Sequence, residues 1–306
     1  MQEILIIKSI SQFHEILKLP APLHPLISLI EDKDAMDHSE IDEQLFDIRF
    51  SSELYCIMYK DKISGSLGYG RSTYDYQEGS LVFASPGQVL TSPKKEEIEG
   101  KQGWTLLFHP DLIRKSSLGS AMDNYSYFSY ETNEALHLAP KEEAFILNLV
   151  YQIQEEYSQN IDQHSQLLII SNLELLLNYC MRYYDRQFYT RTNINKDFVS
   201  QFEKTLKDYF KSNKVELEGL PSTNYFGQQL NMSTNYLSDM LKKETGKSIK
   251  EHIDGHLVDK AKSILLQSNK KVSQIAYDLG FDYPQSFTRL FKNKTGMSPA
   301  EYRKLN

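Results

Sequence analysis

Two stretches near the end of the chain repeat one another at a distance of 50 residues. Leu241-Lys-Lys-Glu-Thr-Gly-Lys-Ser248 is echoed by Phe291-Lys-Asn-Lys-Thr-Gly-Met-Ser298, and the same offset maps Leu237 onto Phe287. A repeat at a fixed period indicates one supersecondary unit that occurs twice. This constrains the fold more than any other feature, because both copies must form the same helical arrangement.

The first copy predicts a helix, a short turn and a second helix. Residues 224–230 form the first helix, and Ser233 is predicted to cap a helix over residues 234–243, because a serine hydroxyl accepts from free backbone N–H groups. Gly246 is predicted to end that helix in a left-handed conformation.

The second copy predicts the same arrangement. A helix over residues 272–279 precedes Asp282, which is predicted to cap a helix over residues 283–293 with Pro284 in its first turn. Gly296 is predicted to end it.

Two further helices complete this region. Ser298 is predicted to start a last short helix, with Pro299 at its first position and Glu301 closing a capping box. A long helix from Ile249 to Gln267 is predicted to join the two copies through an apolar stripe of Ile253, Leu257, Ala261, Ile264 and Leu265. This pattern is typical of two helix-turn-helix units, whose second helices enter successive major grooves roughly 34 Å apart.

The sequence from Val199 to Leu305 resembles the AraC/XylS family of bacterial regulators. The resemblance is densest in Ile275-Ala-Tyr-Asp-Leu-Gly-Phe281, Phe287-Thr-Arg-Leu-Phe-Lys292, Thr295-Gly296 and Ser298-Pro-Ala-Glu-Tyr-Arg303. It implies two helix-turn-helix subdomains joined by a linker helix, promoter DNA as the partner, and RNA polymerase as a second partner. The sequence departs from the family pattern at Gly227, His252 and His256, where alanine, an aromatic residue and arginine are usual.

The first recognition helix is predicted to bind DNA through Thr234, Asn235, Ser238, Asp239 and Lys242. The resemblance implies base contacts by Asn235, Ser238 and Asp239. Asparagine suits adenine, and a carboxylate can accept from cytosine N4. Asp239 has a second interpretation, a salt bridge to Lys242 or Lys243.

The second recognition helix is predicted to expose Tyr283 and to bind DNA through Pro284, Gln285, Ser286, Thr288, Arg289 and Lys292, with Phe287, Leu290 and Phe291 in the core. Gln285 suits adenine, and Arg289 suits guanine or a phosphate; the alternative is that Arg289 is an ordinary solvated arginine. Phosphate contacts are predicted for Lys243, Lys247, Lys292 and Lys294.

Charge is divided unequally along the chain. The net charge is −7, but residues 191–306 hold 19 basic and 13 acidic residues, a balance of +6, and residues 1–190 have a balance of −13. A basic segment in an acidic chain favours DNA contact on one side. The overall acidity argues against a nucleoid-type binder without sequence preference.

The N-terminal half predicts a β-rich domain followed by helices. Residues 40–110 hold short apolar runs, the best at residues 81–83, 89–90 and 104–108. Gly79-Ser-Leu-Val-Phe-Ala-Ser-Pro-Gly-Gln88 resembles part of a cupin motif, which implies a small β-barrel. Its aromatic residues line either an effector pocket or the core: Tyr55, Tyr59, Tyr69, Tyr74, Tyr76, Phe83, Trp104 and Phe108. The sequence identifies no individual effector-binding residue.

Two helices are predicted after Pro140. The first carries an apolar stripe of Ala144, Leu147, Val150 and Tyr151, and the second spans residues 164–187. Residues 189–195 are polar and predict a linker. The resemblance implies that the helices form a homodimer; the alternative is that they only cover the barrel.

The predicted fold is therefore α+β and multidomain. A cupin-like barrel spans residues 1–135, a helical dimerisation region residues 136–190, and an all-α DNA-binding domain residues 191–306. Scattered histidines argue against a metal site. The nearest approach to a phosphate loop, residues 65–70, lacks the G-x-G-x-x-G order. We therefore expect neither an enzyme nor a cofactor. Two cysteines, no signal peptide and no long apolar run predict a cytoplasmic protein.

Overall fold

The computed structural model describes residues 4–31, 45–46, 48–60, 68–69, 72–73, 79–92, 103–131, 134–159, 162–190 and 192–304. The chain forms two compact units, Met1–Gln187 and Phe188–Asn306. The first unit contains the β-sheets, and the described part of the second is helical. This confirms the predicted α+β make-up with a helical C-terminal region.

The described residues of the first unit form three groups of paired strands. Its strands are β1 (Leu5–Ile7), β2 (Ile27–Glu31), β3 (Arg49–Ser52), β4 (Tyr55–Lys60), β5 (Gly68–Tyr69), β6 (Ser72–Thr73), β7 (Ser80–Ala84), β8 (Val89–Thr91), β9 (Gly103–Phe108) and β10 (Leu136–His137). One antiparallel sheet has the order β10-β7-β4-β9-β2, a second has the order β1-β3-β8 with β1 parallel to β3, and β5 pairs with β6.

The three best strand predictions are confirmed as β7, β8 and β9. Strand β2 lies outside the predicted interval of residues 40–110. Ile27 to Ile30 are all buried, so this strand lacks the apolar-polar alternation that identifies a strand with one solvated face.

The segment that resembles a cupin motif forms β7 and the turn that leads into β8. Gly79 precedes β7, and a Cβ atom at this position would collide with the Tyr59 ring. Gly87 ends the turn with a φ of +82°, a conformation that favours glycine, and its N–H donates to the Ser52 carbonyl at 2.8 Å. The loop of residues 65–70 lies mostly outside the described residues.

Most of the described aromatic candidates are core residues. Tyr59, Phe83, Trp104 and Phe108 are buried, whereas Tyr55 is half-buried and stacks on the Phe108 ring at 4.9 Å between centroids. This favours the core interpretation for these rings. The side chains of Tyr69, Tyr74 and Tyr76 lie outside the described residues.

The helices of this unit are α1 (Ile10–Ile16), α2 (Pro110–Ile113), α3 (Ser117–Ala121), α4 (Pro140–Ser158) and α5 (Ser165–Thr190), with 3₁₀ turns over residues 122–124 and 126–129. The last three residues of α5 belong to the second unit. The stripe predicted on α4 is only partly confirmed: Val150 is buried and Leu147 is half-buried, but Ala144 and Tyr151 are exposed. The buried face is Ile146, Leu149, Val150, Ile153 and Tyr157. Apolar residues lie on both faces of α4, so periodicity alone did not choose the buried one.

The second unit is a succession of helices: α6 (Thr192–Lys211), α7 (Lys214–Glu218), α8 (Thr223–Leu230), α9 (Thr234–Thr245), α10 (Ile249–Gln267), α11 (Val272–Asp278), α12 (Pro284–Thr295) and α13 (Pro299–Arg303). The described residues of the predicted linker at 189–195 are helical, since they belong to α5 and α6, and the boundary between the two units lies just before them, between Gln187 and Phe188. Among the described residues, no helix combines the length and apolarity that spanning a membrane requires.

Candidate nucleic-acid interface

Helix α10 is the scaffold of the candidate interface. It packs against α9 on one side of the repeat and against α11, α12 and α13 on the other. Ser248 begins α10 with a capping box, in which the Ser248 N–H donates to a Glu251 carboxylate oxygen at 2.8 Å. That hydrogen bond also lowers the pKa of Glu251. The buried face of α10 consists of Ile249, Ile253, Leu257, Val258, Ala261 and Leu265.

Helix α9 begins where the sequence predicted. The Ser233 hydroxyl accepts from the Tyr236 N–H at 3.2 Å, and Gly246 ends the helix with a φ of +75°. The buried face consists of Tyr236, Leu237, Met240 and Leu241. The remaining faces of α9 therefore carry its polar residues.

The predicted DNA-binding residues of α9 differ in exposure. Asn235 and Lys242 are exposed, whereas Thr234, Ser238 and Asp239 are half-buried. All five lie away from the buried face, at spacings of one, three and four residues that put them along one side of the helix.

Helix α12 does not begin where the sequence predicted. Its N-cap residue is Tyr283, which makes no side-chain capping hydrogen bond, so the prediction that Asp282 caps this helix is wrong. Proline restricts the preceding residue to an extended backbone. Pro284 therefore holds Tyr283 at φ −130° and ψ 123°, outside the helix. Gly296 ends α12 with a φ of +78°, as predicted.

The predicted DNA-binding residues of α12 also lie beside a buried face. Phe287 and Phe291 are buried, and Leu290 is only half-buried. Gln285, Arg289 and Lys292 are exposed, and Pro284, Ser286 and Thr288 are half-buried. The Thr288 hydroxyl donates to the Pro284 carbonyl at 3.0 Å. The hydroxyl hydrogen of Thr288 is therefore already used in a hydrogen bond within the helix.

Lysines are concentrated where the two recognition helices end. Lys242, Lys243, Lys247, Lys292 and Lys294 are all exposed. The charges of Lys294 and Lys242, on different recognition helices, both contribute to lowering the pKa of Glu251 after the hydrogen bonds from Ser248. The two lysines therefore act electrostatically on one point at the start of α10.

The positions that depart from the family pattern are all packed. His252 packs edge-on against Phe202 at 5.3 Å between centroids, and its Nε2 is hydrogen-bonded with the Thr245 hydroxyl at 2.8 Å. His256 stacks on the Phe210 ring at 4.7 Å. Burial lowers the pKa of both histidines, with a smaller contribution from a neighbouring lysine in each case. These rings therefore act as uncharged packing groups at neutral pH.

Phe188 and Asn195, to which no sequence pattern gave a role, support helix α9. The Phe188 ring is buried and packs against the Tyr236 ring of α9 at 5.1 Å between centroids. The Asn195 amide is also buried and donates to the Phe188 carbonyl at 2.8 Å and to a Glu244 carboxylate oxygen at 3.0 Å. In the sequence, Phe188 is a large apolar residue beside a polar stretch, and this pattern could have indicated that it is buried.

The described residues contain no group of histidine, cysteine and acidic side chains that could hold a metal ion. Both cysteines are buried, and burial raises the pKa of Cys56 to about 12 and also raises the pKa of Cys180. These thiols are therefore protonated at neutral pH.

Comparison with known proteins points to the same region. A family model described as a helix-turn-helix domain matches residues 226–305. The chain is 24% identical over 264 residues to the uncharacterized HTH-type transcriptional regulator YtdP of Bacillus subtilis, covering 73% of this chain and 34% of YtdP. It is 26% identical over 196 residues to the uncharacterized HTH-type transcriptional regulator YijO of Escherichia coli, covering 63% of this chain and 64% of YijO.

A shorter relative is matched over most of its length. The chain is 30% identical over 102 residues to the multiple antibiotic resistance protein MarA of Escherichia coli, covering 33% of this chain and 78% of MarA. By contrast, the chain spans less than two thirds of the length of YtdP and of YijO. The relatives YtdP and YijO are named as transcriptional regulators rather than as enzymes.

Proposed function

The chain belongs to the AraC/XylS family of helix-turn-helix regulators, and we propose that it is a sequence-specific transcription regulator that binds two successive major grooves of promoter DNA. One observation carries this proposal. Two recognition helices, α9 and α12, pack on the single helix α10, and each keeps polar residues exposed beside a buried apolar face. A helix in a major groove requires such a polar side.

Base recognition by α12 is proposed for Gln285 and Arg289. Both side chains are exposed and lie four residues apart on one side of the helix. Glutamine suits adenine, and arginine suits guanine. Because the Thr288 hydroxyl donates to Pro284, we assign Thr288 an apolar contact through its methyl group. Pro284 and Ser286 complete the surface that faces the base edges.

Base recognition by α9 is proposed for Asn235, with Thr234, Ser238 and Asp239 beside it. Asn235 is the exposed member of this group, and the other three are half-buried. Asp239 repels phosphates, so a base contact by this residue requires an amino-group donor, for which cytosine N4 is the usual partner of a carboxylate. We therefore propose that α9 contributes less sequence discrimination than α12.

Phosphate contacts are proposed for the exposed lysines Lys242, Lys243, Lys247, Lys292 and Lys294. Contacts of this kind fix orientation but carry no sequence information. They also make affinity depend on salt, because each neutralised phosphate releases counterions.

The test begins with selection of sites from random DNA by the full chain. Arg289→Ala is expected to weaken binding to the selected site by about 1–3 kcal/mol and to relax the preference at one base pair. Lys292→Ala is the matched comparison, since it should weaken binding to all sequences equally and reduce the salt slope by about one. Failure of the unaltered chain to enrich any sequence refutes the proposed function. Equal losses on selected and random DNA for Arg289→Ala refute its role as a base reader.

For the first unit we propose a cupin-like regulatory domain that responds to a small-molecule effector and acts on transcription through RNA polymerase. The antiparallel pairing of all described strands in the larger sheet and the hydrogen-bonded turn at Gly87 support this assignment. Repeating the DNA selection with fractionated cell metabolites present tests it. A fraction that changes the affinity for the selected site supports an effector, and affinities that no fraction changes argue against one.

For the helical region of residues 136–190 we propose homodimer formation in the cytoplasm. Helix α5 exposes three leucines, Leu167 at 65%, Leu168 at 45% and Leu175 at 42%, and a second copy would remove them from water. Sedimentation of the full chain at micromolar concentration tests this. A dimer that Leu168→Glu dissociates supports the proposal, and a monomer with and without DNA refutes it.

A further inference from the structure

The two helix-turn-helix units differ by one residue in their turns. In the first unit the Met232 N–H donates to the Gly227 carbonyl at 2.9 Å, and in the second the Phe281 N–H donates to the Ala276 carbonyl at 3.0 Å. These equivalent hydrogen bonds are 49 residues apart. From the N-cap residue onward, the offset between the two units is 50 residues. The second turn therefore contains one additional residue before its recognition helix.

The additional residue changes what stands at the start of the recognition helix. In the first unit this position is Ser233, which is half-buried and whose hydroxyl caps α9. In the second it is Tyr283, whose side chain makes no capping hydrogen bond and is 69% exposed. Pro284 restricts the Tyr283 backbone to an extended conformation, so Tyr283 stands just outside the first turn of α12.

A tyrosine at the start of a recognition helix can contact the edge of a base in the major groove. The N-terminal part of a recognition helix contacts base edges in the major groove. An aromatic ring offers a rigid apolar surface, and in that groove the apolar group of a base pair is the C5-methyl of thymine. Tyr283 and Gln285 are two residues apart in the chain. A thymine contacted by Tyr283 is therefore expected in a base pair adjacent to the one that Gln285 contacts.

We infer that Tyr283 is a further specificity-determining residue, whose ring packs against the C5-methyl group of a thymine. The inference rests on the proposed function and extends it to a residue outside the set proposed from the sequence. It predicts that the half of the operator bound by α12 contains a thymine that is recognised through its methyl group.

The experiment replaces each thymidine of the selected site, one at a time, with deoxyuridine, which lacks only that methyl group. Affinities are measured for the unaltered full chain and for Tyr283→Phe, Tyr283→Ala and Tyr277→Ala. Tyr277 is the matched control, because it is 54% exposed in the same unit but lies on α11.

For the unaltered chain, deoxyuridine at one position is expected to weaken binding about fourfold, the equivalent of about 0.8 kcal/mol for one buried methyl group. Tyr283→Phe and Tyr277→Ala are expected to keep this sensitivity, and Tyr283→Ala is expected to lose it at that position alone.

Two results would overturn the inference while leaving the proposed function intact. One is a deoxyuridine profile for Tyr283→Ala that matches that of the unaltered chain at every position. The other is loss of affinity in Tyr283→Phe as large as in Tyr283→Ala, which would assign the contact to the hydroxyl group. Absence of any selected site would instead refute the proposed function itself.

Discussion

The buried amide of Asn195 offers a direct test of how the first recognition helix is held. Asn195→Ala removes the donors to the Phe188 carbonyl and to the Glu244 carboxylate. A neutral hydrogen bond contributes about 1 kcal/mol, and one to a charged group about 1.5–3 kcal/mol. Because Glu244 is half-buried, water can replace part of the second contribution. We therefore expect a loss of about 2–3 kcal/mol in the free energy of unfolding.

Urea denaturation followed by circular dichroism at 222 nm measures this loss, and amide hydrogen exchange locates it. Asn293→Ala is the matched control, since Asn293 is exposed on α12. Asn195→Asp should be less stable than Asn195→Ala, because it puts a second carboxylate beside Glu244. The expected exchange increase is confined to α9 and the start of α6. An Asn195→Ala protein as stable as Asn293→Ala would refute the reasoning.

Two further predictions concern the turns of the repeat. Ser233→Ala should lower the free energy of unfolding by about 1 kcal/mol, because it removes the cap of α9. Asp282→Ala should change this free energy by no more than about 0.5 kcal/mol, because Asp282 does not cap α12. Equal losses for the two variants in thermal unfolding would contradict the assigned caps. Gly227→Ala places a Cβ atom 2.7 Å from a backbone oxygen of the turn, so an overpacking cost of about 1–3 kcal/mol should exceed the helix gain of about 1 kcal/mol. Ala276→Gly, at the equivalent position of the second unit, is the comparison and should lower the free energy of unfolding by about 1 kcal/mol. A Gly227→Ala protein more stable than the unaltered chain would contradict the expected overpacking.

Local rules of sequence predicted much of the second unit. The caps at Ser233 and Ser298, the helix ends at Gly246 and Gly296, and the bounds of α10 are all confirmed. Each depends on interactions within about four residues of the chain, so that the sequence carries the information without the rest of the fold.

The sequence-based predictions that the structure did not confirm failed for different reasons. Asp282 has a side chain suited to capping, but Pro284 moved the start of α12 one residue further along. Residues 189–195 are polar, yet their described part is helical, and Asn195 is buried with hydrogen bonds to Phe188 and to Glu244, which is 49 residues away. Composition does not reveal such distant partners.

For the candidate DNA-binding residues, too, the sequence predicted some features and only the structure showed others. The sequence identified the outward faces of α9 and α12, because the helical period separates them from the buried residues beside them. It did not show that the Thr288 hydroxyl is already bonded to Pro284, or that three of the five residues on α9 are half-buried. Those facts depend on side-chain geometry and on neighbouring helices.

The sequence by itself determined that the chain carries two copies of one helix-turn-helix unit, because periodicity, capping and the 50-residue repeat are local and repeated properties. Only the tertiary structure decided that the copies differ in their turns and that Tyr283, rather than Asp282, stands at the start of α12. It also decided which face of α4 is buried and that Phe188 and Asn195 support α9. The physical reason is that burial and hydrogen-bond partners are set by packing between segments distant in sequence, which no local pattern specifies.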